Sequence, residues 1–187
     1  MKIELKNIKH SPSLSEETEA FTASLYIDGK KVGNCTNRGH GGCTDIDAIY
    51  HDGNKDEQIT NREIIKKANE YCKTLPPITN EFGGNPLSMD LEFYVDLELS
   101  KHLKQKDIAK CLKKLDRECI KKIVVVSKKV LEGYKENKND LTWSQLGYKI
   151  PLVEVHRINP EAFKAQIAKT TSELKGDEYI YNTNLPD

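Results

Sequence analysis

The chain has 187 residues, and its 29 Lys and Arg residues balance 29 Asp and Glu residues, so the formal net charge at pH 7 is zero. The length suits one domain of ordinary size, and zero net charge argues against a protein that coats nucleic acid indiscriminately. No stretch approaches the roughly 18 consecutive apolar residues of a membrane helix, and the N-terminus lacks an apolar signal segment, so membrane-spanning and secreted proteins are not indicated.

The first part of the chain predicts β-structure. Residues 1–9 alternate apolar with polar or charged side chains, as in a strand with one exposed face, and the polar residues 11–19 predict a loop. Residues 21–27 and 31–36 are two β-rich runs joined by the dipeptide Asp28-Gly29. Asp-Gly favours a type I′ turn, because both central residues of that turn need a positive φ. The pattern therefore predicts a β-hairpin.

The middle of the chain predicts three helices. The first begins at a capping box, in which Thr60 and Glu63 bond free amides of the first turn, and it ends before Pro76. A second helix begins near Ser88, and a third covers residues 106–116. Both are predicted because apolar side chains recur at three- and four-residue steps, which places them on one face of a helix.

The last third mixes strands with one more helix. The β-branched run within residues 120–127 predicts a buried strand, residues 131–140 predict a turn, and residues 143–155 predict extended structure. Asn159 precedes a proline, which predicts a helix with Asn159 as its N-cap. Residues 178–181 predict a short closing strand.

The order of these elements predicts the fold class. Residues 1–187 are expected to form a single α+β domain, in which an antiparallel or mixed sheet has an N-terminal β-hairpin and about four helices packed on it. Tyr179 and Tyr181 alternate along the closing strand, so they share one face, and packing against the domain is the expected role of that face.

The cysteines indicate a reducing compartment. Their number is odd, and no pair has the Cys-x-x-Cys spacing of redox or zinc motifs. We therefore expect a cytoplasmic protein without a disulfide framework or a four-thiolate zinc site. The five residues are Cys35, Cys43, Cys72, Cys111 and Cys119.

Two segments carry a family resemblance. A Leu-Tyr-x-Asp-Gly-Lys hairpin begins at Leu25, an Asn-x-Gly-x-Gly-Gly loop begins at Asn37, and the chain closes with Tyr-Asn-Thr-Asn-Leu from Tyr181. Over about the first 50 residues and the last ten, the chain resembles small proteins encoded by bacteriophages and prophages, a family without an assigned activity. The resemblance implies a phage context in the host cytoplasm. It also implies action against host systems, by binding a host protein or by sequestering a nucleotide signal.

The glycine-rich loop is the first candidate site. Three glycines in four positions let the backbone approach a ligand closely, and successive N–H groups beside an arginine can bind an anion or a phosphate. The loop matches neither the P-loop nor the dinucleotide fingerprint. A tight turn at a strand end explains the glycines equally well. The candidate ligand-binding residues are Asn37, Arg38, Gly39, His40, Gly41, Gly42 and Thr44.

A polar cluster follows this loop, and its residue types bind metals or perform acid–base chemistry. Their spacing fits no known metal motif, so a solvated acidic loop is the favoured interpretation, and a metal site or a general base at His40 are the alternatives. The cluster consists of His40, Cys43, Asp45, Asp47, His51 and Asp52.

Charge is segregated along the sequence. Residues 81–98 contain five acids and neither Lys nor Arg, whereas residues 101–135 contain 12 basic residues against four acidic ones. The basic residues of the predicted third helix recur at three- and four-residue steps, so they share the face opposite its apolar residues. This face could contact phosphates, or it could be an ordinary solvated surface. Its members are Lys106, Lys110, Lys113, Lys114 and Arg117.

Three functions follow from these observations. The first is a non-catalytic phage protein that holds a phosphate-bearing ligand, such as a nucleotide signal of host defence, at the glycine-rich loop. The second is an inhibitor that docks on a host protein through the hairpin edge or the charged helices. The third is a metal-dependent hydrolase or nuclease that uses His40, Asp45, Asp47 and His51. No cofactor and no membrane partner are expected, and homo-oligomerisation is left open.

Overall fold

The structure is a computed structural model of the chain. It describes residues 1–51, 53–78, 85–136, 148–151, 159–183 and 185. The chain forms two compact units, Met1–His102 and Leu103–Asp187, which are described separately. The strands are β1 Ile3–His10, β2 Phe21–Ile27, β3 Lys30–Asn37, β4 Asp45–Ala48, β5 Lys122–Ser127, β6 Tyr148–Pro151 and β7 Glu178–Ile180. The helices are α1 Lys55–Cys72, α2 Leu91–Glu118, α3 Lys128–Lys135 and α4 Pro160–Ser172.

The α+β class is confirmed. Four α-helices and seven strands occur among the described residues, and the strands form two antiparallel sheets, β1-β2-β3-β4 and β6-β5-β7. The organisation of residues 1–187 as one domain stays a prediction. No helix in the described part of the chain is long and apolar enough to cross a lipid bilayer.

The N-terminal hairpin forms as predicted. Strands β2 and β3 pair antiparallel, and the turn between them has positive φ angles at Asp28 (49°) and Gly29 (83°). Strand β1 pairs with the other edge of β2 and contains a bulge between Lys6 and Lys9, where Asn7 has a φ of 54°. The three strands carry a buried apolar face that includes Leu25, and the loop that follows β3 begins at the end of this packed hairpin.

Strand β4 was missed by the sequence prediction, which assigned its residues to a solvated loop. The strand pairs with β3, with Cys35 opposite Ile46. Asp45 and Asp47 are exposed, whereas Ile46 and Ala48 are half-buried, so the alternation of a strand is present in the sequence. Two aspartates in four residues concealed this alternation, because aspartate is rare in strands.

Helix α1 begins earlier than predicted. Its N-cap is Asn54, whose side chain accepts a hydrogen bond from the Glu57 amide at 3.1 Å. The predicted capping box at Thr60 is wrong, because the Thr60 hydroxyl donates to the Asp56 carbonyl within the helix. An asparagine side chain satisfies a free amide of the first turn as well as threonine does, and the helix therefore gains six residues at its start.

Helix α2 is one continuous helix of 28 residues, where the sequence predicted two. No glycine or proline occurs between Leu91 and Glu118, so nothing in this stretch ends a helix. The weak apolar stripe around Lys104 produced the wrong boundary, although Lys, Gln and Leu all favour helix.

The second unit is built around β5. Its residues Ile123–Val126 are fully buried between β6 and β7, as the β-branched run predicted. One face of β5 packs with Leu115 and Cys119 of α2 and with Leu131 and Tyr134 of α3. Burial of each such side chain stabilises the fold by roughly 1.5–3 kcal/mol.

Helix α3 includes residues 131–135 of the segment 131–140 that the sequence assigned to a turn, so the prediction is wrong there. Residues 137–140 of that segment lie outside the described residues. Ser127 caps the helix by accepting a hydrogen bond from the Val130 amide, and Asp177 accepts one from the Lys129 amide. Hydrogen bonds to its carboxylate lower the pKa of Asp177. The serine cap could be predicted from the sequence, because Ser127 directly precedes the helix. The contact of Lys129 with Asp177 could not, because the two residues are 48 positions apart.

The predictions for the last third are otherwise confirmed where residues are described. Asn159 caps α4 by accepting hydrogen bonds from the Glu161 and Ala162 amides at 3.2 Å. The closing strand β7 pairs with β5, and the extended structure predicted for residues 143–155 is present at 148–151. The remainder of that range lies outside the described residues.

Candidate functional site

The glycine-rich loop connects β3 to β4 and is organised by the buried side chain of Asn37. The Asn37 Oδ1 atom accepts hydrogen bonds from the Gly39 amide at 2.8 Å and from the Thr18 hydroxyl at 2.9 Å. Its Nδ2 atom donates to the Gly42 carbonyl at 3.0 Å and to the Thr44 hydroxyl at 3.3 Å. One side chain therefore closes the loop upon itself.

Several polar groups of the loop backbone are used by the fold. The Gly41 amide donates to the Thr18 hydroxyl at 3.3 Å, and the Thr44 amide donates to Glu92 Oε1 at 3.0 Å. The Gly39 carbonyl accepts from the Glu16 amide at 3.0 Å. Together with the Gly39 amide, which donates to Asn37, three backbone amides of the loop thus have partners within the same unit.

Carboxylates surround the loop. The ring of His40 pairs with Glu16 at 3.0 Å, and the Glu17 carboxylate lies where a side chain on Gly41 would project. Asp96 accepts a hydrogen bond from the Thr44 hydroxyl at 2.7 Å. Since like charges repel, this arrangement disfavours a bound anion.

Two groups beside the loop have raised pKa values, and negative charge contributes to both increases. Removal of its carboxylate from water raises the pKa of Asp96, and the nearby charge of Glu92 adds to the increase. A hydrogen bond to Glu92 and the negative charge of that group raise the pKa of the exposed Cys43 thiol. Cys43 is therefore poorly activated as a nucleophile.

A shallow depression of about 430 Å³ lies on the outer side of the loop and is lined by Asn37, Arg38, His40, Gly42, Cys43 and Asp45. Arg38 is exposed and forms no ion pair within the described residues, which leaves it able to bind an anion. The Asp45 carboxylate shares the same depression, so the two charges offset each other.

The raised pKa of Asp96 leads to a testable prediction. Because the folded protein holds this proton more tightly than the unfolded chain, ionisation of Asp96 lowers stability as the pH rises through its raised pKa. Asp96→Asn keeps an oxygen for the Thr44 hydroxyl and removes the charge. We expect a free energy of unfolding about 0.5 kcal/mol higher at pH 7, discounted for the remaining solvent exposure, and no gain at pH 3. Urea denaturation at both pH values measures this, with Glu98→Gln as control.

The polar cluster after the glycine-rich loop was the alternative candidate for a metal site. Among the described residues, no three His, Cys, Asp or Glu side chains lie close enough together to hold a metal ion. His40 pairs with Glu16, and His51 pairs with Glu57 at 3.0 Å, so the two histidines have different partners. Asp52 lies outside the described residues.

The predicted basic face exists on the C-terminal part of α2. All five of its side chains, Lys106, Lys110, Lys113, Lys114 and Arg117, are exposed. They lie opposite Leu115 and the other residues of the same helix that pack against the core. At 1.5 Å per residue the face extends for about 16 Å.

Most of this charge is uncompensated by neighbours. Lys110 forms an ion pair with Asp107 at 3.1 Å, whereas Lys106, Lys113 and Arg117 form none within the described residues. The whole second unit has 17 Lys and Arg against 12 Asp and Glu, a net charge of +5, and the first unit has 12 against 17, a net charge of −5. The zero net charge of the chain therefore conceals two units of opposite sign.

A cleft of about 470 Å³ lies beside this face in the second unit, lined by Asp116, Cys119, Tyr179, Tyr181 and Thr183. The Tyr181 hydroxyl donates to Asp116 at 3.0 Å, and burial together with this bond raises the pKa of Tyr181 to about 12. The sequence placed Tyr179 and Tyr181 on one face but gave no sign of Asp116, which is 65 residues away from Tyr181.

The comparisons with known proteins add no relative. No protein-family model matches the chain, and no curated protein or solved structure matches it significantly. The resemblance to phage proteins therefore stays a prediction from the sequence, and the function has to be inferred from the geometry.

Proposed function

We propose that this protein is a non-catalytic binding protein that holds a phosphate-bearing ligand on the exposed basic face of α2. The observation that carries the proposal is the exposure of all five basic side chains on one face, within a unit of net charge +5. Lys and Arg bind phosphate by charge-assisted hydrogen bonds and by release of counterions, so such a face attracts polyanions and nucleotides.

The glycine-rich loop is a weaker candidate for the phosphate. Its Gly39 and Gly41 amides have internal partners, and Glu16, Glu17 and Asp96 lie around it. We therefore assign the phosphate to α2, where Lys106, Lys113 and Arg117 are exposed and form no ion pair within the described residues. The phage resemblance supports a setting in the host cytoplasm, where nucleotide signals of host defence are ligands of this class.

Docking of a host protein on a sheet edge is less well supported. Edge strand β1 carries Lys2 just before it, Lys6 and Lys9 along it and a bulge at Asn7, and edge strand β4 has only four residues. Lysines, bulges and short length are features that protect an edge from pairing with another chain. The inhibitor hypothesis therefore stays a prediction that these two edges do not favour.

The proposal predicts a salt-dependent affinity that depends on α2. We expect the triple variant Lys106→Gln, Lys113→Gln, Arg117→Gln to bind a labelled single-stranded oligonucleotide about 100-fold more weakly at 50 mM NaCl. The slope of log affinity against log salt should fall by about 2, since roughly 0.7 of a counterion is released per phosphate contact in single strands. Fluorescence anisotropy across a salt series measures both quantities.

The matched control removes the same charge from the acidic unit. The triple variant Lys55→Gln, Lys66→Gln, Lys67→Gln changes three exposed lysines of α1 and should keep the affinity within about twofold. Equal losses in the two triple variants would show a non-specific charge effect and contradict the proposal. So would a wild-type protein that binds neither the oligonucleotide nor inorganic polyphosphate at 50 mM NaCl.

A further inference from the structure

The cleft beside the basic face combines aromatic surface with a hydrogen-bond acceptor. Tyr179 and Tyr181 alternate along the chain at β7, and both line the cleft together with the exposed carboxylate of Asp116. Among the described strands β7 pairs only with β5, so it lies at an edge of its sheet. A volume of about 470 Å³ lies within the range of small-molecule sites.

The chemistry of this lining selects the kind of ligand. Tyrosine rings stack on flat aromatic groups, and every nucleobase offers such a face. A carboxylate only accepts hydrogen bonds, and the Tyr181 hydroxyl occupies one position on Asp116 Oδ1. On its Watson–Crick edge guanine has two adjacent hydrogen-bond donors, the N1–H group and the 2-amino group. These two donors match the two oxygens of a carboxylate. Adenine and cytosine present one amino group, and uracil presents one N–H between two carbonyls that a carboxylate repels.

The position of Asp116 connects the cleft to the basic face. Lys113 precedes Asp116 by three residues, which places the two side chains about 60° apart around the axis of α2, and Arg117 follows directly. A base in the cleft therefore has its sugar and phosphate beside the unpaired cations of Lys113 and Arg117. The arrangement separates an aromatic, acceptor-bearing part from a cationic part, as a nucleotide requires.

We propose that the cleft of Asp116, Tyr179, Tyr181 and Thr183 binds a guanine base whose phosphate contacts Lys113 and Arg117. This inference rests on the proposed function, because it names the ligand class of the same basic face. The base belongs either to a free guanine nucleotide or to a single-stranded nucleic acid, which share this chemistry.

A cationic ligand is the main competitor. Two tyrosines and a carboxylate also suit a methylated ammonium group, since cations bind to the faces of aromatic rings. The net charge of +5 on this unit and the neighbouring Lys113 and Arg117 disfavour a cation here. Binding of tetramethylammonium by the full chain, without binding of GMP, would overturn the guanine assignment.

The test compares four nucleoside monophosphates by isothermal titration with the full-length protein. We expect GMP to bind about tenfold more tightly than AMP or CMP and still more tightly than UMP. Asp116→Asn should remove most of the preference for GMP over AMP. Tyr179→Ala should weaken all four nucleotides by about tenfold, whereas Tyr179→Phe keeps the ring and the affinity. Glu161→Gln removes an exposed negative charge of the same unit that does not line the cleft, and it should change neither the affinity nor the preference.

The outcomes separate the cleft from the basic face. Equal affinities for all four nucleotides, with no effect of Asp116→Asn but a loss in the Lys106, Lys113 and Arg117 triple variant, would overturn the cleft and leave the proposed function intact. No binding of any nucleotide or oligonucleotide would overturn both. Tighter binding of a guanine-containing oligoribonucleotide than of GMP supports a single strand as the source of the base, and the reverse supports a free nucleotide.

Discussion

Replacement of Gly39 by alanine is expected to lower the free energy of unfolding by about 3 kcal/mol. Gly39 has a φ of +90°, a region that residues with a Cβ atom rarely adopt. A Cβ atom at this position would also lie far inside contact distance of the Leu14 carbonyl oxygen, which is backbone and cannot rotate away. Both effects destabilise the folded state. The clash can be relieved only if the loop moves away from the residues before β2.

The matched control for this prediction is Gly42→Ala in the same loop. Gly42 has no positive φ, and nothing lies within 4 Å of the position that its Cβ atom would occupy. Its free energy of unfolding should stay unchanged or rise by up to about 1 kcal/mol, since alanine restricts the unfolded chain. Urea denaturation of both variants measures the difference. Equal stabilities would contradict the interpretation that Gly39 is required by the fold.

The two variants test whether the glycines of this loop are required by the fold. The spacing of Gly39, Gly41 and Gly42 is compatible with a ligand loop and with a tight turn, and the sequence left both open. In the structure, the backbone of Gly39 lies against Leu14, and the backbone of Gly41 lies against the Glu17 carboxylate. Neither neighbour is close in sequence, so no local pattern could distinguish the two roles.

The elements that were predicted well are those whose signals are local. The Asp28-Gly29 turn, the Asn159 cap and the β-branched run of β5 each depend on chemistry within a few residues. Helix α3 and strand β4 were missed because turn-forming or acidic residues conceal their periodicity. The Lys129 amide at the start of α3 donates a hydrogen bond to Asp177, which lies 48 residues later in the chain. Patterns that involve only neighbouring residues cannot predict such a contact.

The candidate site also has a part that local sequence patterns predict and a part that they do not. The basic face on α2 was predictable, since helical periodicity alone places Lys106, Lys113 and Arg117 on one side. The cleft was not, because it forms only when β7 brings Tyr179 and Tyr181 to Asp116. Nor did the sequence indicate that carboxylates would surround the glycine-rich loop. Asp96 reaches Thr44 across 52 residues of chain.

The second large effect is expected at Asn37, whose side chain makes three hydrogen bonds within the glycine-rich loop and a fourth to Thr18. Asn37→Ala removes all four and leaves the Gly39 amide and the Gly42 carbonyl without their partner. Each unsatisfied buried polar group costs about 1–3 kcal/mol, and water entering the space restores part of that loss. We therefore expect the free energy of unfolding to fall by about 3 kcal/mol.

Two further variants at Asn37 and nearby make this expectation specific. Asn37→Asp keeps the oxygen that accepts from the Gly39 amide but loses both donors and places a carboxylate against the Gly42 carbonyl, so it should be at least as destabilising as Asn37→Ala. Asn34→Ala, at an exposed position of the same strand, should change the free energy of unfolding by less than about 0.5 kcal/mol. Hydrogen exchange should show faster exchange of the Gly39 and Gly41 amides in Asn37→Ala, while the amides of β5 keep their protection. If Asn37→Ala costs less than about 1 kcal/mol and leaves these two amides protected, the loop is held by its backbone alone, and the assignment of its polar groups to the fold fails.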